Sequence, residues 1–157
     1  MEIRDVASGS GAVCRRILGA LPTWFGVAAS VEEYSEFAER FPVIVASVDG
    51  DAVGFVAVRR HSPHAAEVYA MGVLPEFHRQ GIGRAMLEHA EAARSAAGVE
   101  FLQVKTLSSR REDAGYAKTR LFYEAHGFRV LEEMDLWGPE NPTLMMIKAV
   151  PRSPAVE

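Results

Sequence analysis

A single cysteine, Cys14, stands among 157 residues. One thiol cannot close an internal bridge, so a disulfide scaffold is excluded and a reducing compartment, the cytoplasm, is expected. No apolar run reaches the length of about 18 residues that a membrane-spanning helix needs, so no membrane role is expected. The opening MEIRDVASGSG has no basic flank followed by an apolar stretch and does not read as a secretory signal. An excess of basic residues is missing as well: 17 Lys+Arg face 21 Asp+Glu, a net charge of −4. That argues against nucleic acid as a partner. Internal repeats and low-complexity segments are absent. What remains is globular usage, 48% hydrophobic and 24% charged. The length suits one self-sufficient core and is too short for two ordinary domains. The expected organisation is a domain over 1–150 and a flexible tail over 151–157, which carries two prolines.

The patterning alternates between periods. Ile3–Val6 reads as a short strand. Gly11–Leu21 reads as a helix with Val13, Ile17, Leu18 and Leu21 on one side, stopped by Pro22. Ser30–Phe41 reads as a second helix, with Ser30 and Glu33 as a capping box and Val31, Tyr34, Phe37, Ala38 and Phe41 as its apolar stripe. Val43–Val48 and Ala52–Arg59 form a hairpin around Asp49-Gly50-Asp51, and Glu67–Leu74 is a further strand. A glycine-bearing turn, His78–Gly83, leads into a helix over Ile82–Ala97, with Ile82, Met86, Ala90, Ala93 and Ala97 on one face and Gly98 as its stop. Val99–Leu107 is a strand, Ser108–Lys118 a polar loop, and Thr119–His126 a short helix ended by Gly127. Phe128–Trp137 and Thr143–Val150 are the last strands. Strand, helix, strand over 67–107 is a crossover that makes its two strands parallel, while the hairpins make the sheet mixed. The class is α/β, in three layers.

The densest signal is Val73–Arg84, VLPEFHRQGIGR. A strand ends, Gly81 and Gly83 permit a tight turn, and a helix begins at once. Free amides at such a helix start carry partial positive charge and suit a pyrophosphate, with Arg79 and Arg84 beside them. The plain alternative is a turn into a helix with no ligand. Two other phosphate motifs do not fit. Met86 stands where a dinucleotide fingerprint needs its third glycine, and no Gly-Lys-Ser/Thr follows.

EVYAMGVLPEFHRQGIGRAMLEHAE (Glu67–Glu91), followed by LFYEAHGFRV (Leu121–Val130), resembles the GNAT superfamily of acetyl-CoA-dependent N-acetyltransferases. The first stretch is similar to the family's Arg/Gln-x-x-Gly-x-Gly/Ala motif, with His78 in place of the Arg or Gln. The second matches Phe-Tyr-x-x-x-Gly-Phe through Phe122, Tyr123, Gly127 and Phe128. The resemblance implies a GNAT-type sheet with a splayed parallel strand pair. It implies acetyl-CoA as cosubstrate, pantetheine along Met71, Gly72 and Val73, and the diphosphate over His78, Arg79, Gln80, Gly81, Ile82, Gly83 and Arg84. It also implies transfer of the acetyl group to a primary amine by direct attack. Glu67 matches a position where some members place the base. The other reading of Glu67 is a solvated residue at a strand start. Tyr123 falls where the family's phenol faces the departing sulfur, against a reading as core packing. The family's cofactor-contacting asparagine has no counterpart in Leu107–Arg111. Arg110, Arg111 and Lys118 are candidates for the adenosine 3′-phosphate, against a plain solvated loop.

Other residues read more blandly. His61 and His64 flank Pro63 without a completing ligand, so no metal is expected. His126 suits a helix C-terminus, His89 a helix surface, and Cys14 packing. Pro22–Gly26 and Trp137–Pro142 are candidate acceptor loops or packed anchors, and Glu33 is assigned to its cap. The acceptor is a small-molecule or peptide amine. A protein N-terminus or lysine, or a non-catalytic acyl-CoA sensor, stays open, as does a homodimer.

Overall fold

The structure, a computed structural model, describes residues 1–21 and 28–151. In chain order the elements are β1 (Glu2–Val6), α1 (Gly11–Gly19), α2 (Ala28–Arg40), β2 (Val43–Val48), β3 (Asp51–Arg60), β4 (Ala65–Val73), α3 (Ile82–Ala96), β5 (Phe101–Leu107), α4 (Ala114–Ala125), β6 (Arg129–Met134) and β7 (Thr143–Ala149). A short 3-10 turn, Pro75–Phe77, lies between β4 and α3. The strands bond in the order β1-β2-β3-β4-β5-β7-β6. Most neighbours run antiparallel. The β4–β5 ladder is parallel, from Ala65 opposite Phe101 to Val68 opposite Val104, as the crossover predicts. The fold is mixed α/β. Among the described residues, no helix is long and apolar enough to cross a membrane.

The chain forms two compact units. The first holds Met1–Val58 and Tyr69–Ala93. Asp49 and Gly50 both take positive φ, 51° and 86°, which is the hairpin turn that twisted antiparallel strands favour. Cys14, Ile17, Leu18 and Leu21 pack with Ala38 of α2 and with Val43, Val45, Phe55, Ala57 and Ala70 of the strands. Gly54 faces the other way: a Cβ there would stand 3.0 Å from the Met86 methyl of α3. This unit is therefore a sheet between two helical layers. Its helices depart from the periodic reading at their ends. On α3 the buried residues are Ile82, Met86, Leu87 and Ala90, and Ala93 and Ala97 are exposed. Phe41 is 50% exposed because α2 stops at Arg40. Since α2 begins at Ala28, Ser30 is inside the helix and the Ser30–Glu33 capping box does not form.

The second unit holds Arg59–Val68 and the chain from Arg94 onward. Its core includes Leu102 and Val104 of β5, Tyr123 of α4, Phe128, and Met146 of β7. The polar segment expected to be loop up to Lys118 is helical from Ala114, because Asp113 Oδ1 accepts the Tyr116 N–H as an N-cap. β6 is an edge strand. Its register shifts between Val130 and Glu132, leaving Leu131 bulged. Residues 22–26 of one expected acceptor loop, and 152–157 of the expected tail, lie outside the described residues.

Candidate active site

In the first unit the turn after β4 is built almost wholly from main chain. The Pro75–Phe77 turn ends at His78, whose Nε2 lies 2.6 Å from the Val73 carbonyl oxygen and ties the turn back to the strand end. The departure from Arg or Gln at this position thus has a structural use. Arg79 (φ 61°) and Gly81 (φ 78°) then take left-handed backbone, and α3 starts at Ile82. Gly81 supplies the permissive residue, and a Cβ there would meet nothing within 4 Å. Gly83, expected to share in the turn, instead lies within the first turn of α3. The Gly81 carbonyl accepts from Ala85 N at 3.0 Å, the first bond of the helix. The amides of Ile82, Gly83 and Arg84 have no acceptor among the described residues, so they form a positively polarised cradle. Arg79 is exposed and unpaired among the described residues, while Arg84 pairs with Glu88 one turn on. Gln80 donates to the Glu76 carbonyl.

Strict alternation along the end of β4 does not hold. Tyr69 packs against Tyr34 and Phe37 of α2, and its hydroxyl donates to Glu33 at 3.0 Å. Ala70 also faces the α1–α2 layer, whereas Val73 lies on the Met86 side of Gly54. Tyr69 and Val73, expected on one face, therefore turn to different sides of the strand. Gly72 admits a neighbour closely, and the neighbour is α1: a Cβ there would be 3.1 Å from Ile17 and 3.3 Å from Leu21.

In the second unit, Glu67 is buried at 5% exposure, which overturns its reading as a solvated residue at a strand start. Lys105 Nζ reaches both of its carboxylate oxygens at 3.1 Å, and His61 Nε2 lies 2.6 Å from Oε1. His61 comes from the β3–β4 connection and Lys105 from β5. Glu67 registers with Gln103, so Lys105, two residues on, belongs to the same alternating set of β5. Sequence reading missed both partners. The Lys105 signal lay in strand parity combined with parallel register; His61 carried no comparable signal.

Tyr123 is buried on α4, edge to face with Phe122 and with Phe128, each at 5.3 Å between centroids. The four residues of the Phe-Tyr motif serve this corner. Gly127 takes φ 92° to end the helix, and the Tyr123 carbonyl accepts the Phe128 amide. His126 closes the helix through Nδ1 to the Phe122 carbonyl. His89 meets Asp5, and His64 meets Glu100. Arg110 pairs with Glu133, whose carboxyl that guanidinium and the Ser108 hydroxyl hold below its ordinary value. Arg111 bonds the Asn141 side chain of the 138–142 loop. Cys14 has no exposed surface. Burial raises its thiol from 9.0 to about 11, against smaller opposing effects of Ser35 and Arg15. A thiol so placed is packing and not a nucleophile.

A family model described as an acetyltransferase (GNAT) domain matches residues 39–130, more than half of the chain. An uncharacterised N-acetyltransferase from Chlorobaculum tepidum is 39% identical over 80 residues, which are 51% of this chain and 50% of that protein. The match thus spans about half the length of that curated relative. Two solved structures share the fold. The ribosomal-protein-S18-alanine N-acetyltransferase of Escherichia coli superposes with a TM-score of 0.76 at 18% identity, covering 99% of this chain and 98% of that one. An aminoglycoside 6′-N-acetyltransferase complexed with coenzyme A gives 0.73 at 18%, covering 98% and 99%.

Proposed function

The chain belongs to the GNAT acetyltransferase family, and from that premise we propose that it moves an acetyl group from acetyl-CoA to a primary amine by direct attack. The observation that carries this reading is the cradle of three unengaged amides opening α3 behind a left-handed Gly81. A diphosphate is the anion such a cradle suits, with Arg79 adding charge. The coenzyme A complex of a protein with the same fold supports that choice. On this reading the backbone of Met71–Val73 pairs with pantetheine, and His78 braces the turn.

Attack needs a neutral amine, and an alkyl amine near pKa 10.4 is neutral in only about 0.04% of molecules at pH 7. The cluster centred on Glu67 is the proposed sink for its proton. Tyr123 is proposed to donate a proton to the departing thiolate. The C–N bond forms as the C–S bond breaks, and the products are an amide and free coenzyme A. Residues 1–150 form the proposed catalytic domain, and a lone thiol suits the cytoplasm. The acceptor is proposed to be a small-molecule or peptide amine. The two structural neighbours are named for an aminoglycoside and for a ribosomal protein's alanine, so the shared fold does not select between acceptor classes.

The test is thiol release from acetyl-CoA against a panel of amines, with cofactor affinity measured in parallel. Turnover on at least one amine is expected. Tyr123→Phe is expected to lower kcat about a hundredfold with acetyl-CoA affinity near wild type. Equal kcat in the two proteins would remove the acid assignment. Binding without turnover on any amine would turn the reading to a cofactor sensor.

A further inference from the structure

We propose that His61, and not Glu67, is the group that takes the proton from the acceptor amine, and that Glu67 is its positioning residue. The inference rests on the acetyltransferase reading above and deepens it.

The geometry assigns the roles. Lys105 donates to both oxygens of Glu67, and His61 adds a contact at 2.6 Å to one of them. The carboxylate is 6% exposed. A carboxylate enclosed in this way has little room to approach an incoming amine, and a proton placed on it would compete with the ammonium already held there. His61 differs on both counts. Its side chain is 34% exposed, so a ligand can reach it. With its Nε2–H donated to Glu67, the neutral ring carries its lone pair on Nδ1. Nothing among the described residues engages Nδ1. A buried carboxylate that fixes one nitrogen of an imidazole leaves the other as a base of defined orientation. An imidazole nitrogen can both accept a proton from an amine and pass it on to water.

The step balances. The amine nitrogen attacks the thioester carbon, and its proton passes to His61 Nδ1. The thiolate leaves and takes a proton from Tyr123, which regains one from solvent, and His61 releases its proton to solvent. The charged groups on the surrounding elements are Glu67 on β4, Lys105 on β5, Arg60 at the end of β3, and the pair of His64 with Glu100. Arg60 is engaged by the carbonyls of Ser62 and Pro63 in the loop that carries His61.

The experiment uses the intact chain, acetyl-CoA and an amine found active in the panel. For His61→Gln the expected result is a fall in kcat of about a hundredfold or more, an acetyl-CoA Kd within about twofold of wild type, and loss of the acidic limb of the kcat/KM–pH profile. Added imidazole should restore part of the rate to His61→Gly. Glu67→Gln should lower kcat less, keep an acidic limb and show no rescue. Retention of kcat within about threefold by His61→Gln, or an unchanged acidic limb, overturns the proposal. So does loss of the limb in Glu67→Gln alone. His61→Asn serves as a second variant, and its melting temperature checks folding. Failure of the underlying reading looks different: wild-type protein would release no thiol with any amine, and no variant comparison would arise.

Discussion

The two units treat a buried ionisable group in opposite ways. In the first, Cys14 sits among Ile17, Leu18 and Ala38, and burial raises its thiol to about 11. In the second, Glu67 is also buried but is met by an ammonium on one strand and an imidazole on the neighbouring connection. The contrast extends to the candidate chemistry. The first unit offers main-chain amides arranged by one glycine, and the second offers side chains gathered from three elements. A main-chain cradle can be written in a dozen consecutive residues, whereas a side-chain cluster needs register.

Removing a partner should break the contrast most visibly. Lys105→Met leaves Glu67 buried with only His61, and is expected to destabilise the protein by about 3–5 kcal/mol in urea unfolding. A loss under about 1 kcal/mol would mean the carboxylate is effectively solvated. Next is the cradle. Acetyl-CoA at 100 times its Kd should stabilise the wild type by about 2.7 kcal/mol. Gly81→Asn keeps a residue that tolerates left-handed φ yet adds a side chain, so it should erase that gain with little change in the unliganded protein. Gly81→Val should also erase it, with an added backbone penalty of about 1–3 kcal/mol. A retained gain in both would place the diphosphate elsewhere.

The lone thiol gives a pH signature of comparable size. Its value in the folded state lies above the unfolded one, so its contribution is intact below about pH 9 and is lost as pH rises toward 11. The thiolate then favours the unfolded chain by about 2–3 kcal/mol. Cys14→Ala should flatten that part of the alkaline decline, measured as the difference between urea midpoints at pH 8.5 and pH 11. The smallest expected effect is at the cap of α4. Asp113→Ala should cost about 1 kcal/mol, read as a shift in the melting temperature.

Legibility followed the same division. The turn, α3, the Asp49-Gly50 hairpin and the Phe-Tyr corner could be read because glycine and short-range spacing encode them. Helix ends read less well. Ser30 and Glu33 look like a capping box, but α2 starts earlier and Glu33 goes to Tyr69 instead. Asp113, a good N-cap, was hidden in a charged stretch that reads as loop. Period two failed at the end of β4, where Tyr69 and Ala70 both address the α1–α2 layer. The trio of His61, Glu67 and Lys105 has separations of six and 38 between its bonded pairs, and only the parallel pairing of β4 with β5 brings Lys105 to the carboxylate.

The bulge at Leu131 bears on what the edge of the sheet offers to a further strand. An outermost ribbon bearing Val130 and Leu131, 57% and 52% exposed, is the kind of open seam that recruits a foreign strand. The register shift interrupts its regular spacing, and the charged residues Arg129, Glu132 and Glu133 punctuate it. A second chain arriving there finds a broken zip, which favours solubility over fibre growth.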